Sequence, residues 1–280
     1  MSNKVNYLAK LYQLERIEAE DIYISKDFVY QINGEDYKDP DGHSQNLYKR
    51  WHDFLIHKIP DGRFQIGKNG LEIRAEINGK TFLLSSDYIG PSKYYAAKTF
   101  RNNEKDEREE MAEIFNICRC FEGHIIWPKG QMSDHHGAYI PYGPNGENSI
   151  NMSRGGRSGV FDRFDVTLYL LKRYYELFIE KECFYTRIFD RTEIFLDGCK
   201  ERLDVKQNAF RLFNIFLSFE LSLDWLAVFK EFPAFIQIFE LQDFVEDNEP
   251  VIWGKTDKIE VDEEYIENCK AAIKRRGGHL

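Results

Sequence analysis

The sequence has 280 residues, of which 42% are hydrophobic and 30% are charged, a composition typical of a folded globular protein. It contains 38 Lys and Arg against 47 Asp and Glu, and the resulting net charge of -9 argues against a broad phosphate-binding surface. No run of 18 apolar residues is present, so we expect no helix that spans a membrane.

Hydrophobic periodicity predicts a strand-rich first half. Residues 1–20 show the spacing of a short amphipathic helix, 21–32 are typical of one or two strands, and 44–58 predict a second helix. From residue 64 to 87 apolar and polar side chains alternate on both sides of Asn78-Gly79, a pattern that predicts a β-meander with a tight turn.

The second half changes to helical periodicity after one more strand region. Residues 114–127 predict a strand or a pair of strands, and the Pro- and Gly-rich segment 128–148 is too long for an ordinary connection, so we expect it to be functional or mobile. Helices are predicted in 165–180, 202–222 and 265–276.

These elements predict an α+β protein with a mainly β N-terminal half and a helical C-terminal half packed on it. We divide the chain into a strand-rich part, 1–165, and a helical part, 166–280, which are equally compatible with one continuous domain. The 22 Phe, 16 Tyr and 4 Trp make up 15% of the chain and are concentrated in the helical half. Because most of these rings have helical spacing, we expect them to form helix-packing core.

The densest group of candidate ligand-binding residues lies in segment 149–165. Its glycines allow the backbone to approach a ligand, its arginines can bind a phosphate or carboxylate, and it leads into a helix N-terminus, which favours anions. The segment lacks the Gly-Lys-Ser/Thr ending of a P-loop. The candidate anion- or nucleotide-binding residues are Asn151, Arg154, Arg157, Asp162, Arg163 and Asp165. The alternative is structural: the aspartates cap a helix and the arginines pair with carboxylates in a buried turn.

The cysteines and histidines offer ligand types that suit zinc, namely Cys118, Cys120 and His124, with His135 and His136 nearby in sequence. In a strand, however, the first three would share one face with core rings, so we expect buried cysteines, a hydrogen-bonded core histidine and no metal or cofactor. Five cysteines with irregular spacing favour a reducing, cytoplasmic setting. No complete catalytic motif is present, so no residue is assigned a catalytic role.

Five acidic residues lie between 240 and 249, among apolar residues whose spacing predicts a helix with an acidic outer face. Such a face can dock on a basic, nucleic-acid-binding partner and compete with its ligand, or it can simply be a solvated exterior. The candidate partner-contact residues are Trp127, Tyr139, Tyr142, Glu246 and Asp247.

Several short motifs occur in the order found in one uncharacterised family. They are Asp39-Pro40-Asp41, Trp51-His52 with Leu55, Gly123-His124-Ile125-Ile126-Trp127-Pro128, Ser149-Ile150-Asn151 with Arg154-Gly155, Asp162-Arg163-Phe164-Asp165-Val166-Thr167-Leu168, Arg173-Tyr174-Tyr175 and Leu241-Gln242-Asp243-Phe244-Val245. The chain resembles this family of bacteria and their mobile elements, a domain of unknown function, over about residues 25 to 276. The resemblance implies that 149–168 belongs to the shared pattern, and it implies no activity.

Together these features predict a cytoplasmic protein that acts through contacts with a protein partner, without catalytic activity. A homo-oligomer fits the same features, and the mobile-element setting suggests an inhibitor of a host defence complex. The alternative is a nucleotide- or phosphate-binding enzyme that uses segment 149–165. Direct binding to nucleic acid or to a membrane is not expected.

Overall fold

The computed structural model describes residues 22–24, 30–32, 35–36, 44–90, 120–128, 139–142, 148–151, 163–182, 188–257, 259 and 261–276. For the strands before residue 44 and between 139 and 151, only the backbone is described. Strands occupy the N-terminal half and mostly helices the C-terminal half, which confirms the α+β class.

Three short strands form an antiparallel sheet near the start of the chain. They are β1 (Ile22–Ile24), β2 (Tyr30–Ile32) and β3 (Glu35–Asp36), with Ile22 opposite Ile32. The strands predicted in 21–32 are therefore confirmed. The helix predicted in 1–20 lies outside the described residues.

A four-stranded antiparallel sheet follows, in the order β4, β5, β6, β7. Its strands are β4 (Arg63–Ile66), β5 (Ile73–Ile77), β6 (Lys80–Tyr88) and β7 (His124–Pro128). Side chains of β5 alternate between buried and exposed, as the period of two requires. Asn78 and Gly79 both have positive φ, 52° and 75°, which is the backbone of a type I′ turn and confirms the predicted hairpin.

Helix α1 (Gln45–Lys58) begins at Ser44, whose hydroxyl accepts a hydrogen bond from the Leu47 N–H at 3.3 Å. Its buried face is attached to β6 by polar contacts as well as by packing. Trp51 Nε1 donates to Ser86 Oγ at 3.0 Å, and the Ser86 N–H donates to the Tyr48 hydroxyl at 3.1 Å. These bonds satisfy polar groups that burial would otherwise leave unpaired.

The segment expected to be one long loop contains a pair of strands instead. Strand β8 (Tyr139–Tyr142) pairs antiparallel with β9 (Asn148–Asn151), with Tyr139 opposite Asn151. Pro141 lies opposite Ser149 within this pair. A proline is tolerated there because each member of a two-stranded sheet is an edge strand.

The helical half begins with α2, which continues into a π-helical turn at Tyr175–Ile179. Its helices are α2 (Phe164–Tyr174), α3 (Ile188–Cys199), α4 (Val205–Leu221), α5 (Leu223–Leu226), α6 (Phe232–Ile238) and α7 (Glu263–Arg276). The helices predicted in 165–180, 202–222 and 265–276 are confirmed. Helix α3 was not predicted, because Thr192 and Gly198 lower its intrinsic helix propensity.

The chain forms two compact units. The first contains residues 1–75, 84–127 and 261–280, and the second contains 76–83 and 128–260. This division does not follow the predicted boundary at residue 165, because α7 belongs with the strand-rich unit. Within that unit the Tyr265 hydroxyl donates to the Ile89 carbonyl at 3.3 Å, and the Arg276 guanidinium donates to the His124 carbonyl at 2.8 Å.

Aromatic rings fill the core of the second unit, as their helical spacing predicts. The Tyr174 ring centroid lies 5.1 Å from that of Phe178 and 5.5 Å from that of Phe219, and all three rings are buried. A second group surrounds Phe239, which lies 4.8 Å from Phe235 and 5.4 Å from Phe229. Tilted and edge-on pairs of this kind stabilise a core beyond their buried area.

Helix α4 depends on a side-chain cap at its first turn. The Asp204 carboxylate accepts a hydrogen bond from the Gln207 N–H at 3.0 Å, and Asp204 is exposed. We predict that Asp204→Ala lowers the free energy of unfolding by about 1 kcal/mol, the usual cost of losing an N-cap. Denaturant unfolding measures it, with Glu201→Ala as a control that removes a neighbouring exposed charge without touching a cap. Equal losses in both variants would contradict the capping role.

Candidate functional site

Arg163 and Asp165 form a buried ion pair at the start of α2. Arg163 Nε donates to Asp165 Oδ1 and Nη2 donates to Oδ2, both at 2.9 Å, in the parallel geometry of a bidentate pair. Both side chains are 0% exposed. The guanidinium of Arg163 and the carboxylate of Asp165, two of the candidate anion-binding groups, therefore bind each other.

Backbone groups complete the hydrogen bonds of this pair. The Arg163 guanidinium also donates to the Lys255 carbonyl at 2.9 Å and to the Trp253 carbonyl, while the Trp253 N–H donates to Asp165 Oδ2 at 2.8 Å. Burial raises the pKa of the Asp165 carboxyl, and the hydrogen bonds and charge of Arg163, with the Val166 and Trp253 N–H groups, oppose that rise. The pair therefore ties the first turn of α2 to residues 253–255.

The remaining candidate ligand-binding residues precede this pair in the chain. Asn151 is the last residue of β9, and its side chain is not described. Arg154, Arg157 and Asp162 lie outside the described residues. Their role in binding an anion or nucleotide stays a prediction.

The acidic segment 240–249 is not the helix that its apolar spacing predicts. After a 3-10 turn at Gln242–Phe244, strands β10 (Val245–Glu246) and β11 (Glu249–Pro250) form an antiparallel hairpin. Asp247 and Asn248 at its tip have positive φ, 49° and 63°, which a helix does not permit. Asp and Asn tolerate this left-handed backbone better than most residues, and they end the helical pattern here.

The base of this hairpin is buried and fixed to α2. The Phe244 ring is 0% exposed and lies 5.2 Å from the Phe164 ring and 5.4 Å from the Trp253 ring. The Phe244 carbonyl accepts the Val251 N–H at 3.1 Å, which closes the hairpin below its strands. The buried base, which contains Phe244, therefore fixes the position of the hairpin in this unit.

The acidic side chains of the tip differ in their partners. Glu249 pairs with Lys172, whose ammonium also lies 2.7 Å from Glu176, and these carboxylates raise the pKa of that lysine although burial opposes the rise. Glu246 and Asp247 are exposed, and neither forms an ion pair with another residue that the structure describes. Their role as partner-contact residues stays a prediction.

The three aromatic partner-contact candidates are placed differently. The Trp127 side chain is 2% exposed and belongs to the core of the first unit, so this ring offers no surface to a partner and its proposed role needs correction. The reason is that β7 is buried along its whole length. Tyr139 and Tyr142 are the first and last residues of β8, and their side chains are not described.

His124 and Cys120 are both buried, as the sequence predicts. His124 Nδ1 donates to the Cys120 carbonyl at 2.9 Å, since a carbonyl only accepts, and the His124 ring lies 4.5 Å from that of Tyr88. The contact is thus to the backbone of Cys120 and not to its thiol. Cys118, His135 and His136 lie outside the described residues, and within the described ranges no group of three His, Cys, Asp or Glu side chains could hold a metal ion.

Sequence reasoning missed a buried polar cluster in the second unit. The Tyr174 hydroxyl donates to Glu220 Oε1 at 2.6 Å, and Arg191 Nη2 lies 2.8 Å from the same oxygen. Burial is the main cause that raises the pKa of both Tyr174 and Glu220. Only Tyr174 belongs to a short motif, Arg173-Tyr174-Tyr175, and no motif connects the three residues, because they lie on three separate helices and meet only in the fold.

Cys199 is a buried cysteine at the end of α3. Burial raises the pKa of its thiol to about 12, so this cysteine is almost entirely protonated at neutral pH and is a poor nucleophile.

Among the described residues, no single helix has the length and apolar composition needed to cross a membrane. One bent pair, 211–220 and 223–229, meets that test only jointly, with a bend of 65°.

We predict that Asp165→Leu lowers the free energy of unfolding by about 3–5 kcal/mol, because it leaves the Arg163 charge buried without its carboxylate. The double variant Arg163→Met with Asp165→Leu should be more stable than the single one. A double-mutant cycle by denaturant unfolding measures the coupling. A single-variant loss below about 0.5 kcal/mol, the range of ordinary surface changes, would show that the pair does not hold the fold together.

The sequence comparisons identify a family and no individual relative. No curated protein matches the sequence, and no solved structure matches it. A model described as a family of unknown function (DUF6994) matches residues 24–197, more than half of the chain, including β2 to β9, α1, α2 and most of α3. The protein belongs to DUF6994.

Proposed function

We propose that the protein acts by binding a partner protein, without catalysis, and that the β10–β11 hairpin is part of the binding surface. The observation that carries this proposal is the placement of Glu246 and Asp247, both exposed, on a turn whose base is fixed by Phe244. A preformed turn loses little conformational entropy when it binds, which favours recognition.

Electrostatics support a basic partner. The chain carries a net charge of -9, and the carboxylates of Glu246 and Asp247 add to the negative potential at one exposed turn. Acidic side chains at an exposed tip steer a positively charged surface toward it over about 8 to 10 Å at physiological salt. Glu249 contributes less, because Lys172 neutralises it.

The first turn of α2 supports this choice over an anion pocket. A helix N-terminus binds anions through its free N–H groups and its dipole. Here Asp165 already places a carboxylate in that turn, where it accepts hydrogen bonds from the Val166 and Trp253 N–H groups. The protein's own side chain thus takes part of the position that a phosphate group would need.

The acidic charge of the hairpin tip suits one kind of partner. An acidic surface competes with nucleic acid for a basic protein, so we propose a nucleic-acid-binding partner in the cytoplasm. In bacteria and their mobile elements, the origin that the sequence motifs suggest, such a partner would be a component of a host defence complex. A second copy of the chain is the alternative partner, and light scattering on the purified protein distinguishes it.

We predict that the double variant Glu246→Lys with Asp247→Lys loses its partner, because charge reversal at the tip repels a basic surface. The measurement is affinity capture from lysate of the source organism, with identification by mass spectrometry and then titration of the purified partner at two salt concentrations. We expect at least a tenfold weaker Kd for the variant and weaker binding of the wild type at higher salt.

The matched control is Glu193→Lys with Glu201→Lys, which changes the net charge equally at two exposed positions in and just after α3. This control should bind like the wild type. Equal binding by the hairpin variant and the wild type, or an equal loss of affinity in both double variants, would show that the hairpin is not part of the binding surface.

A second function, binding of a nucleotide or phosphate by an enzyme, is favoured by one observation. Strand β9 ends at Asn151 and α2 begins at Phe164, so the Gly- and Arg-rich residues between them connect a strand to a helix N-terminus. Phosphate-binding loops use this same connection.

Thermal shift tests this second function. We predict that ATP or inorganic phosphate at 100 times its Kd would stabilise the wild type by about 2.7 kcal/mol, and that Arg154→Ala would lose that shift if the segment binds anions. Lys206→Ala, an exposed cation on α4, is the control and should keep the shift. No shift in the wild type, or an equal shift in both variants, would dismiss the anion site.

A further inference from the structure

Residues 251–257 and Ile259 form an irregular segment of the second unit that contains neither helix nor strand. We call this segment the strap. It follows β11 directly and is held by side chains from the start of α2 and from α4. Its attachment differs from ordinary packing, because side-chain donors bind its main-chain carbonyls one after another.

The first attachment is the buried pair at α2. Arg163 donates to the carbonyls of Trp253 and Lys255, and Asp165 accepts the Trp253 N–H. Hydrogen bonds to charged groups are stronger than those between neutral groups, so this end of the strap is the firmer one.

The second attachment is to α4. Asn208 Nδ2 donates to the Asp257 carbonyl at 2.7 Å, and Arg211 Nη1 donates to the Ile259 carbonyl at 2.7 Å. Asn208 also donates to the Asp204 carbonyl one turn earlier, at 2.9 Å. Each of these contacts is made to a main-chain carbonyl and not to a strap side chain. The same donors could therefore bind the carbonyls of a different main-chain segment.

Backbone strain lies at the end of the strap. Ile259 has φ of 47°, in the left-handed region that is sterically unfavourable for a β-branched residue. Such strain persists only where the surroundings enforce it, and here the Ile259 side chain is 1% exposed while Arg211 binds its carbonyl. Opening the strap would relieve this strain.

Few apolar contacts oppose the opening. Among the described strap residues only Ile259 is fully buried, Trp253 is half-buried, and Lys255 and Asp257 are exposed. Segments with little buried apolar surface open at lower free energy than the helices around them.

We propose that the strap is a releasable element that opens while α2 and α4 stay folded, uncovering the main-chain-binding donors Arg163, Asn208 and Arg211. Because the Val251 N–H donates to the Phe244 carbonyl, opening also frees the base of the β10–β11 hairpin. The strap thereby controls how the acidic tip is presented. This last role rests on the proposed function, whereas the opening itself is measured without any partner.

The test is hydrogen exchange of the wild-type protein at increasing denaturant below the unfolding transition. We expect the Val251 and Trp253 amides, whose N–H groups donate to the Phe244 carbonyl and to Asp165, to exchange through an opening that barely depends on denaturant, at least a hundredfold faster than the interior amides of α4. If these amides instead follow the same denaturant dependence as α4, the strap opens only with global unfolding and the proposal is overturned.

A pair of asparagine variants locates the attachment. Asn208→Ala removes the donor to the strap, and Asn268→Ala on α7 removes an asparagine that donates only to a carbonyl one turn earlier, Glu264 at 2.9 Å. We expect exchange of the Trp253 amide, relative to α4, to rise about tenfold in Asn208→Ala and to stay unchanged in Asn268→Ala. No rise in Asn208→Ala would overturn the attachment to α4. Because exchange is measured on the isolated protein, this result is independent of the partner-capture test of the proposed function.

Discussion

The buried pair of Arg163 and Asp165 is the interaction on which the second unit depends. It sets the first turn of α2, it holds residues 253–255 by their backbone, and through them it supports the hairpin that follows Phe244. A buried ion pair adds little net stability, because desolvation offsets much of its Coulomb energy. What it adds here is geometry, since a bidentate pair with further backbone partners defines how the three segments meet while the strap is closed.

That arrangement explains how one sequence motif can be prominent without being a binding site. The guanidinium and carboxylate that suggest an anion pocket are consumed by each other and by peptide groups. Exposed charges of the second unit include those of Glu246 and Asp247 at the hairpin tip. The motif therefore stabilises the support of the acidic turn, which is the surface that we propose for partner binding.

The sequence predicts correctly those helices, strands and turns that depend on interactions between residues close together in the chain. The period of two, the Asn78-Gly79 turn and the amphipathic spacing of α1 and α4 each act within a few residues, and the structure has them. The acidic segment 240–249 was predicted wrongly, because helical spacing says nothing of the left-handed turn at Asp247. The partners of Arg163 lie 90 and 92 residues away, at Trp253 and Lys255, so only the fold reveals them. The cluster of Tyr174, Arg191 and Glu220 escaped prediction for the same reason.

The placement of α7 in the first unit has a consequence for synthesis. Arg276 donates to the Glu122 carbonyl across 154 residues of sequence, and Tyr265 reaches Ile89 across 176. During translation the strands of this unit leave the ribosome long before α7 does. The core surface that α7 covers in the folded unit therefore stays exposed until this helix is synthesised. Contacts this distant in sequence slow folding, and the second unit has one as well, since the Phe82 ring lies 5.6 Å from the Trp225 ring.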